Sequence, residues 1–165
     1  MQKLLLSFLL AFASVAGFAQ KDTADNYVNR FISIPAFNIN IVPDSSFFSK
    51  EQLNKNAPFI IKFFSPDCDH CQKQVKDLLA YKDELKNVQV LMVSPLSFKD
   101  NNNFYKEYNL SSMTNIKLGF DPTYKLRKLY NTQTYPSMYV YDKRGTLAKA
   151  FVGNIGVQAI LDAVK

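Results

Sequence analysis

Two cysteines separated by two residues are the feature of the sequence that most directly indicates chemistry. The motif is Cys68-Asp69-His70-Cys71, and the chain contains no other cysteine. An apolar run at residues 59–64 predicts a buried strand before the motif, and apolar spacing predicts a helix from about residue 68 to residue 85. The free N–H groups and the dipole of that helix terminus would stabilise a thiolate, the reactive form of cysteine. Because one helical turn brings both sulfur atoms within disulfide reach, the pair is a candidate redox dithiol.

Two other interpretations of the cysteine pair remain open. The pair could form a purely structural disulfide or stay inert in the core. A structural zinc ion is a further alternative, but such an ion takes four ligands. His70 is the single histidine of the chain, so a closed site would need carboxylates or a second chain. We therefore predict a redox-active Cys68–Cys71 disulfide, with no metal and no cofactor.

The rest of the chain alternates strand and helix patterns. Strands are predicted at residues 34–41, 59–64, 88–94, 116–120, 134–141 and 146–152. Helices are predicted from Ser45 or Ser46 to about Leu53, at residues 68–85 and 104–108, from Asp121-Pro122 onward, and through Val164. This order predicts an α/β protein with a central mixed β-sheet, helices on both faces, a hairpin turning at residues 142–145 and an N-terminal strand extension.

The N-terminal residues have the pattern of an export signal. Residues 4–13 are almost entirely apolar, follow Lys3 and precede the small residues Gly17 and Ala19. This pattern predicts a signal peptide over residues 1–19, cleaved near Ala19-Gln20. An uncleaved anchor is the alternative, although a membrane span takes about 20 apolar residues. We expect a loose segment at residues 20–33, a single domain at residues 34–165, and a periplasmic or secreted location, where disulfide chemistry is favoured.

The charged residues give no sign of a nucleic-acid site. The formal net charge is +6 at pH 7, but the lysines and arginines are scattered along the chain. A dense basic segment interleaved with aromatic residues is absent from the sequence, and scattered charges are typical of solvated faces. We expect no nucleic-acid partner.

Three separated features resemble the thioredoxin-like superfamily. The first is the dithiol between a strand and a helix, as described above. The second is Tyr135-Pro136 just before a strand, where the family has a cis-proline that faces the dithiol. The third is the turn Asp142-Lys143-Arg144-Gly145, which matches the family's Asp-x-x-Gly hairpin. The export signal and the long segment between the second buried strand and Pro136 are similar to the TlpA/ResA branch of exported thiol–disulfide oxidoreductases.

The sequence also departs from that family in the immediate surroundings of the dithiol. Asp67 replaces the tryptophan that usually precedes the first cysteine, and Asp69-His70 replaces the Gly-Pro of thioredoxin itself. Lys62, six residues before Cys68, stands where thioredoxin has a buried acid that helps proton transfer. The resemblance therefore predicts the class of chemistry, but it does not predict the reduction potential or the choice of substrate.

The resemblance implies a role for each residue of the site. Cys68 would attack a partner disulfide, and Cys71 would resolve the mixed disulfide. Pro136 and the backbone of Tyr135 would pair with an extended substrate segment. A protonated His70 would stabilise the Cys68 thiolate, whereas Asp67 and Asp69 would act against it.

Lys62 has two interpretations. One is an ammonium that approaches Cys71 and favours its thiolate during release. The other is a strand-end lysine whose stem is buried and whose charge reaches solvent.

These expectations combine into one leading function. We predict an exported enzyme that exchanges disulfides with cysteine-containing envelope proteins and is served by a membrane or periplasmic electron donor or acceptor. The direction of exchange stays open, because the family branch implies a reductant and His70 favours an oxidant. A peroxiredoxin-like peroxide reductase is one alternative, but no Pro-x-x-x-Thr-x-x-Cys motif ends at Cys68. A copper- or metal-delivery module is the other, but the C-x-x-x-C spacing and the distant histidine of such proteins are missing.

Overall fold

The computed structural model of the chain describes residues 31–165. The expected signal peptide and residues 20–30 of the expected loose segment lie outside this range. The strands are β1 (Asn38–Val42), β2 (Phe47–Ser49), β3 (Phe59–Phe63), β4 (Gln89–Ser94), β5 (Ile116–Phe120), β6 (Ser137–Tyr141) and β7 (Leu147–Val152). The helices are α1 (Asp69–Ala80), α2 (Phe98–Glu107), α3 (Lys125–Leu129) and α4 (Val157–Ala163). Short 3₁₀ helices span Lys50–Gln52 and Leu110–Ser112.

The strands form one mixed sheet in the order β2-β1-β5-β4-β3-β6-β7. Strands β3, β4 and β5 are parallel, and every other neighbouring pair is antiparallel. The β6–β7 hairpin forms one edge, while β1 and β2 form the other. The predicted α/β class, with a mixed sheet and an N-terminal strand extension, is confirmed.

All five side chains of strand β3 are buried, because the strand lies inside the protein with a core on each face. Ile60 belongs to a core under α1, α2 and α4, together with Phe64 just beyond the strand end. Phe59, Ile61 and Phe63 belong to a second core on the opposite face, which includes Leu126 of α3. A continuous apolar run suits this position, because a strand covered on both faces cannot alternate apolar with polar residues. The prediction of helices on both faces is therefore confirmed.

The predicted helix after Ser45 and Ser46 is wrong. The chain there forms β2, which pairs with β1 and places Phe48 opposite Ile39. The ring of Phe48 also packs against Phe37 at a centroid distance of 5.8 Å. Pairing and burial with β1 outweighed the local capping signal, and helical structure is confined to the 3₁₀ turn Lys50–Gln52.

Two helix boundaries also differ from the predicted ones. Helix α1 ends at Ala80, and the chain continues in turns. Leu85, which continues the apolar spacing of the helix in the sequence, lies in these turns and is buried. Helix α3 begins at Lys125, four residues after Asp121, because Pro122 and Thr123 form a turn first. The Asp121 carboxylate accepts hydrogen bonds from the N–H groups of Lys125 and Leu126, at 2.9 and 2.8 Å. Asp121 thus caps this helix from outside its first turn.

Helix α2 begins earlier than residue 104. Ser97 is its N-cap, and its hydroxyl accepts a hydrogen bond from the Asp100 N–H. The asparagine-rich segment therefore lies inside the helix, where Asn101 donates its side-chain amide to the carbonyls of Leu96 and Ser97.

The first described residues are packed against the sheet. Phe31 is buried, and its ring stacks on Tyr130 at a centroid distance of 4.7 Å. Ser33 forms a β-bridge with Thr146. Residues 31–33 thus contribute to the second core and to the edge of the hairpin. Within residues 31–165, no helix is long and apolar enough to cross a membrane.

Candidate redox site

The two cysteines lie at the N-terminus of α1, just after the loop that connects it to β3. Cys68 is the N-cap of α1, and the N–H of Cys71 donates to its Sγ at 3.4 Å. Cys68 is partly exposed, whereas Cys71 is completely buried, and both are free thiols in this structure. Since an incoming protein can reach only the partly exposed sulfur, the structure gives the two cysteines different access to a partner.

The short loop between β3 and α1 holds Cys68 in place. The Cys68 N–H donates to the carbonyl of Ser65 at 3.2 Å, and the Ser65 hydroxyl donates to the Asp67 carboxylate. From the first turns of α1, the side-chain amide of Gln72 donates a hydrogen bond to the carbonyl of Pro66 at 2.8 Å. Two of these bonds lie within the loop and the third joins it to α1, so the N-capping sulfur has a defined position above the helix terminus.

The thiol of the buried Cys71 does not ionise readily. Burial raises the pKa of the Cys71 thiol to about 12, and its interaction with Cys68 acts in the same direction. The nearby charge of Lys62 lowers this pKa but does not compensate for burial. At neutral pH Cys71 is therefore a thiol, and it must lose a proton before it can attack a disulfide.

Lys62 lies inside the protein and does not reach solvent. It is the fourth residue of β3, it has no exposed surface, and it points to the same face as Ile60 and Phe64. Its Nζ lies 5.2 Å from the centroid of the Phe64 ring and has no hydrogen-bond partner among the described residues. Burial lowers the pKa of Lys62 to about 8, while the charges of Cys71 and then Cys68 act to raise it. Because Lys62 has no exposed surface, the interpretation in which its charge reaches solvent is wrong.

His70 lies on the first turn of α1 with its side chain exposed. Its neighbours Asp67 and Asp69 are exposed as well. Within residues 31–165 no hydrogen bond or ion pair involves the imidazole of His70, so the structure places it near Cys68 without joining it to the sulfur.

The Tyr135–Pro136 peptide bond is cis, as predicted from its position in the chain. The next residue, Ser137, pairs with Phe63 at the end of β3, which brings this segment beside the dithiol loop. The Pro136 carbonyl accepts a hydrogen bond from Gly153 at 2.8 Å. By contrast, the backbone N–H and C=O of Tyr135 make no hydrogen bond to any described residue. A second cis bond, Val42–Pro43, was not anticipated.

Two further residues support the site and were missed from sequence. Gln74 of α1 is buried and exchanges two hydrogen bonds with the backbone of Ile155. A polar residue one turn after Cys71 on the apolar face of the predicted helix was the available signal. The guanidinium of Arg127 lies 4.8 Å from the Tyr135 ring centroid and 5.3 Å from that of Tyr124. No local signal could have found this contact, because it joins α3 to the segment before β6.

A protein-bound metal ion has no ready site in the described part of the chain. No group of three or more His, Cys, Asp or Glu side chains lies close enough together there to hold one.

The sequence profile of the AhpC/TSA family matches residues 33–150. The chain belongs to the AhpC/TSA family. The matched range contains the dithiol, Lys62 and the cis-proline segment of this AhpC/TSA protein. No curated protein matches the sequence.

Solved structures show the fold of this AhpC/TSA protein independently. StoA from Bacillus subtilis is 18% identical with a TM-score of 0.58, covering 78% of this chain and 96% of its own. A secreted Mycobacterium tuberculosis disulfide oxidoreductase homologous to E. coli DsbE is 16% identical with a TM-score of 0.66, covering 82% and 96%. The exposed lipoprotein thioredoxin Etrx1 of Streptococcus pneumoniae is 24% identical with a TM-score of 0.59, covering 78% and 96%. The predicted thioredoxin-like fold and superfamily are confirmed.

Proposed function

We propose that this protein is an exported thiol–disulfide oxidoreductase that exchanges disulfides with cysteine-containing envelope proteins. The observation that carries the proposal is the asymmetry of the dithiol. Cys68 is partly exposed at a helix N-terminus. Cys71 is buried one turn further along, and its backbone N–H donates a hydrogen bond to the Cys68 Sγ. A nucleophile that a partner can reach and a resolving thiol that it cannot reach are what two-step disulfide exchange requires.

The reaction proceeds through a mixed disulfide. The Cys68 thiolate attacks one sulfur of a partner disulfide, forms a bond to it and releases the other sulfur as a thiolate. Cys71 then loses its proton and attacks the Cys68 sulfur, which forms the Cys68–Cys71 disulfide and releases the second partner thiolate. The partner gains two electrons and the dithiol loses them; the reverse sequence oxidises a partner dithiol.

The segment around Pro136 is the proposed docking point for the partner. The backbone N–H and C=O of Tyr135 are unpaired within the described residues, and Pro136 leads into β6 beside the end of β3. An extended peptide could pair with both groups as an added strand does, and its cysteine would then lie over Cys68. His70 and Lys62 are proposed to adjust the reduction potential of the dithiol.

Export is part of the proposal. The predicted signal over residues 1–19 supports it, and the similar Mycobacterium tuberculosis protein is described as secreted. A membrane or periplasmic donor or acceptor of electrons would return the dithiol to its starting state. Location can be tested with a tagged full-length chain by fractionating cells and determining the N-terminal residue of the mature protein, which we expect to be Gln20.

The central experiment uses the fact that the chain has two cysteines. The protein lacking residues 1–19 should reduce a disulfide-containing model protein when supplied with dithiothreitol. Cys68→Ser should abolish turnover, and Cys71→Ser should accumulate a covalent mixed disulfide that is visible by mass spectrometry. Ser111→Ala, an exposed substitution in the 3₁₀ helix after α2, is the matched control and should retain activity. Full turnover by Cys68→Ser would refute the proposed function.

Peroxide reduction is the second candidate, because peroxiredoxins also belong to the AhpC/TSA family. The same preparations should be tested for consumption of hydrogen peroxide. Rapid consumption that requires Cys68 but leaves model protein disulfides untouched would favour this candidate over disulfide exchange.

A further inference from the structure

A cavity of about 320 Å³ opens between α3 and the loop that follows it. Its lining contains two cations, two side-chain amides, an aromatic ring and a hydroxyl, and no carboxylate of the described residues lines it. The lining residues are Tyr124, Arg127, Lys128, Asn131, Thr132 and Gln133. A cavity with cations and no acidic residue is complementary to an anionic group.

The guanidinium of Arg127 is held in place at this cavity. Its Nε donates to the Thr132 carbonyl at 2.8 Å, and its Nη2 donates to the Gln133 carbonyl at 3.3 Å. The ring centroids of Tyr135 and Tyr124 lie 4.8 and 5.3 Å from it. These hydrogen bonds use two of the five guanidinium N–H groups, so donors remain for a carboxylate, which arginine binds through two parallel hydrogen bonds.

The acidic residue closest to this cavity in sequence, Asp121, is already engaged. It is buried, and its carboxylate accepts hydrogen bonds from the N–H groups of Lys125 and Leu126. Helix α3 carries three cations, Lys125, Arg127 and Lys128, against this one carboxylate. The surface at α3 therefore has an excess of positive charge that can bind an acidic group of another molecule.

Tyr135 connects the cavity to the dithiol. It precedes Pro136, and the following Ser137 pairs with Phe63 at the end of β3. The backbone of Tyr135 is the proposed pairing point for an extended segment of the partner. Because the guanidinium of Arg127 contacts the ring of the same residue, a partner segment bound along Tyr135 comes within reach of Arg127.

We propose that Arg127 and Lys128 form a subsite for an acidic side chain of the partner protein, so that partners with aspartate or glutamate near the reactive cysteine are preferred. This inference rests on the disulfide exchange proposed above and names a class of partner for it. Arg127 binds the carboxylate through its remaining N–H groups, and the Lys128 ammonium adds positive charge at the same cavity. An extended chain advances about 3.3 Å per residue, so an acidic residue within roughly four residues of the cysteine is in range.

The preference should hold on one side of the cysteine only. Helices α3 and α1 cover opposite faces of the sheet. On the α1 side, the loop and the first helical turn expose the carboxylates of Asp67 and Asp69 against the single imidazole of His70. An acidic residue on that side meets like charge. A general attraction of acidic peptides to a chain with a net charge of +6 would instead act on both sides.

The first test uses the protein lacking residues 1–19 and short peptides whose single cysteine forms a disulfide with 2-nitro-5-thiobenzoate. The Cys68 thiolate attacks the peptide sulfur, forms a mixed disulfide with it and releases the coloured thiolate. Paired peptides carry glutamate or glutamine at one position, two to four residues before or after the cysteine. Each rate is divided by the rate of the same peptide with free glutathione, which removes the effect of glutamate on intrinsic reactivity.

Glutamate should accelerate release about three- to tenfold on one side of the cysteine, as expected for a charge-assisted hydrogen bond at a partly exposed site. The gain should come from a lower half-saturating peptide concentration and not from a higher maximal rate. Added salt should diminish it. Equal rates for every glutamate–glutamine pair would overturn the inference, and so would an equal gain on both sides.

Charge reversal at Arg127 tests the assignment of the subsite. Arg127→Met should bring the glutamate-to-glutamine ratio to about one, and Arg127→Glu should favour a lysine peptide over the glutamate peptide, which loss of a merely structural role would not do. Lys86→Met, exposed in the turns between α1 and β4, should keep the wild-type ratio. An unreversed preference in folded Arg127→Glu would refute the subsite. If that variant does not fold, the exposed Lys128→Glu decides, and an unchanged ratio in it would refute the subsite as well.

Cys68→Ser separates this inference from the proposed function. If this variant releases the coloured thiolate as fast as the wild type, disulfide exchange itself fails. If release requires Cys68 but the glutamate and glutamine peptides react alike at every position, exchange stands and the acidic subsite is refuted.

Discussion

The side chain of Gln74 is joined to the backbone of Ile155 by two hydrogen bonds. The Gln74 Nε2 donates to the Ile155 carbonyl at 2.9 Å, and the Ile155 N–H donates to the Gln74 Oε1 at 3.0 Å. Gln74 is completely buried one turn after Cys71, and Ile155 precedes α4. The helix that carries the dithiol is thereby fastened to a segment 81 residues further along the chain.

Removing the two hydrogen bonds between Gln74 and Ile155 should destabilise the protein. In Gln74→Met the volume is nearly conserved, but the N–H and C=O of Ile155 lose their partners. An unsatisfied buried polar group costs about 1–3 kcal/mol. Because Ile155 is only half-buried, water can replace part of the loss, and we expect the free energy of unfolding to fall by about 1–3 kcal/mol in total. Denaturant unfolding of the oxidised protein measures it, and exposed Gln158→Met should change it by less than about 0.5 kcal/mol. A fall no larger than that of the control would show that the two hydrogen bonds contribute nothing net.

His70 should shift the reduction potential of the dithiol without being part of its chemistry. It lies on the first turn of α1, where a protonated or hydrogen-bonding imidazole stabilises a Cys68 thiolate and so favours the reduced form. His70→Ala should make the potential more negative by on the order of 30–60 mV, since a hydrogen bond to a charged group contributes about 1.5–3 kcal/mol and about 30 mV corresponds to 1.4 kcal/mol.

Equilibration with glutathione measures this potential. Asp69→Asn removes a like charge from the same turn and should shift the potential in the opposite direction, which excludes a general disturbance of the helix terminus. Unchanged potentials in both variants would mean that the exposed groups of this turn are solvated and that the helix terminus and Lys62 determine the potential.

The lowered pKa of Lys62 should give the protein a characteristic pH dependence of stability. Burial lowers this pKa from 10.5 to about 8, so the unfolded chain binds more protons than the folded one between these values. Stability therefore rises with pH across this interval and is diminished below it. At about 1.4 kcal/mol per pKa unit, the oxidised wild type should gain at least about 3 kcal/mol relative to oxidised Lys62→Met as the pH rises to 10.5.

The oxidised forms are compared because neither thiol titrates in them. Urea unfolding at a series of pH values provides the measurement, and the difference between the two proteins removes groups that they share. Parallel stability profiles for wild type and Lys62→Met would show that the amine is hydrated or paired in solution.

Arg127 should affect substrate binding through Tyr135. Its guanidinium lies 4.8 Å from the centroid of the Tyr135 ring, while its Nε donates to the Thr132 carbonyl at 2.8 Å. A cation over an aromatic ring contributes about 0.5–1 kcal/mol at an exposed site, which corresponds to roughly a two- to fivefold change in affinity. Arg127→Met should therefore raise KM for a disulfide-containing protein by roughly this factor and leave the reduction potential unchanged. Arg144→Met, in the exposed β6–β7 turn, should alter neither quantity. A changed potential in Arg127→Met would instead indicate a displaced dithiol.

Much of the fold could be predicted because its signals are local. The uninterrupted apolar run before Cys68 specifies a strand covered on both faces, and β3 is that strand. The helix after the motif and the hairpin turning at residues 142–145 follow from periodicity and turn chemistry. The helix expected after Ser45 failed for the opposite reason, because pairing between Phe48 and Ile39 is a contact between separate elements.

The sequence by itself determined the spacing and the setting of the candidate site: two cysteines separated by two residues at the start of a helix, followed much later by Tyr135-Pro136. Only the tertiary structure decided which sulfur is reachable and which groups face the buried one. The burial of the Lys62 amine between Met92 and Met138 depends on strands that are far apart in the chain. The bond between Gln74 and Ile155 likewise depends on how α1 packs near α4. Burial and the charge of neighbouring groups control proton affinity, and both are properties of assembled surroundings that no stretch of sequence contains.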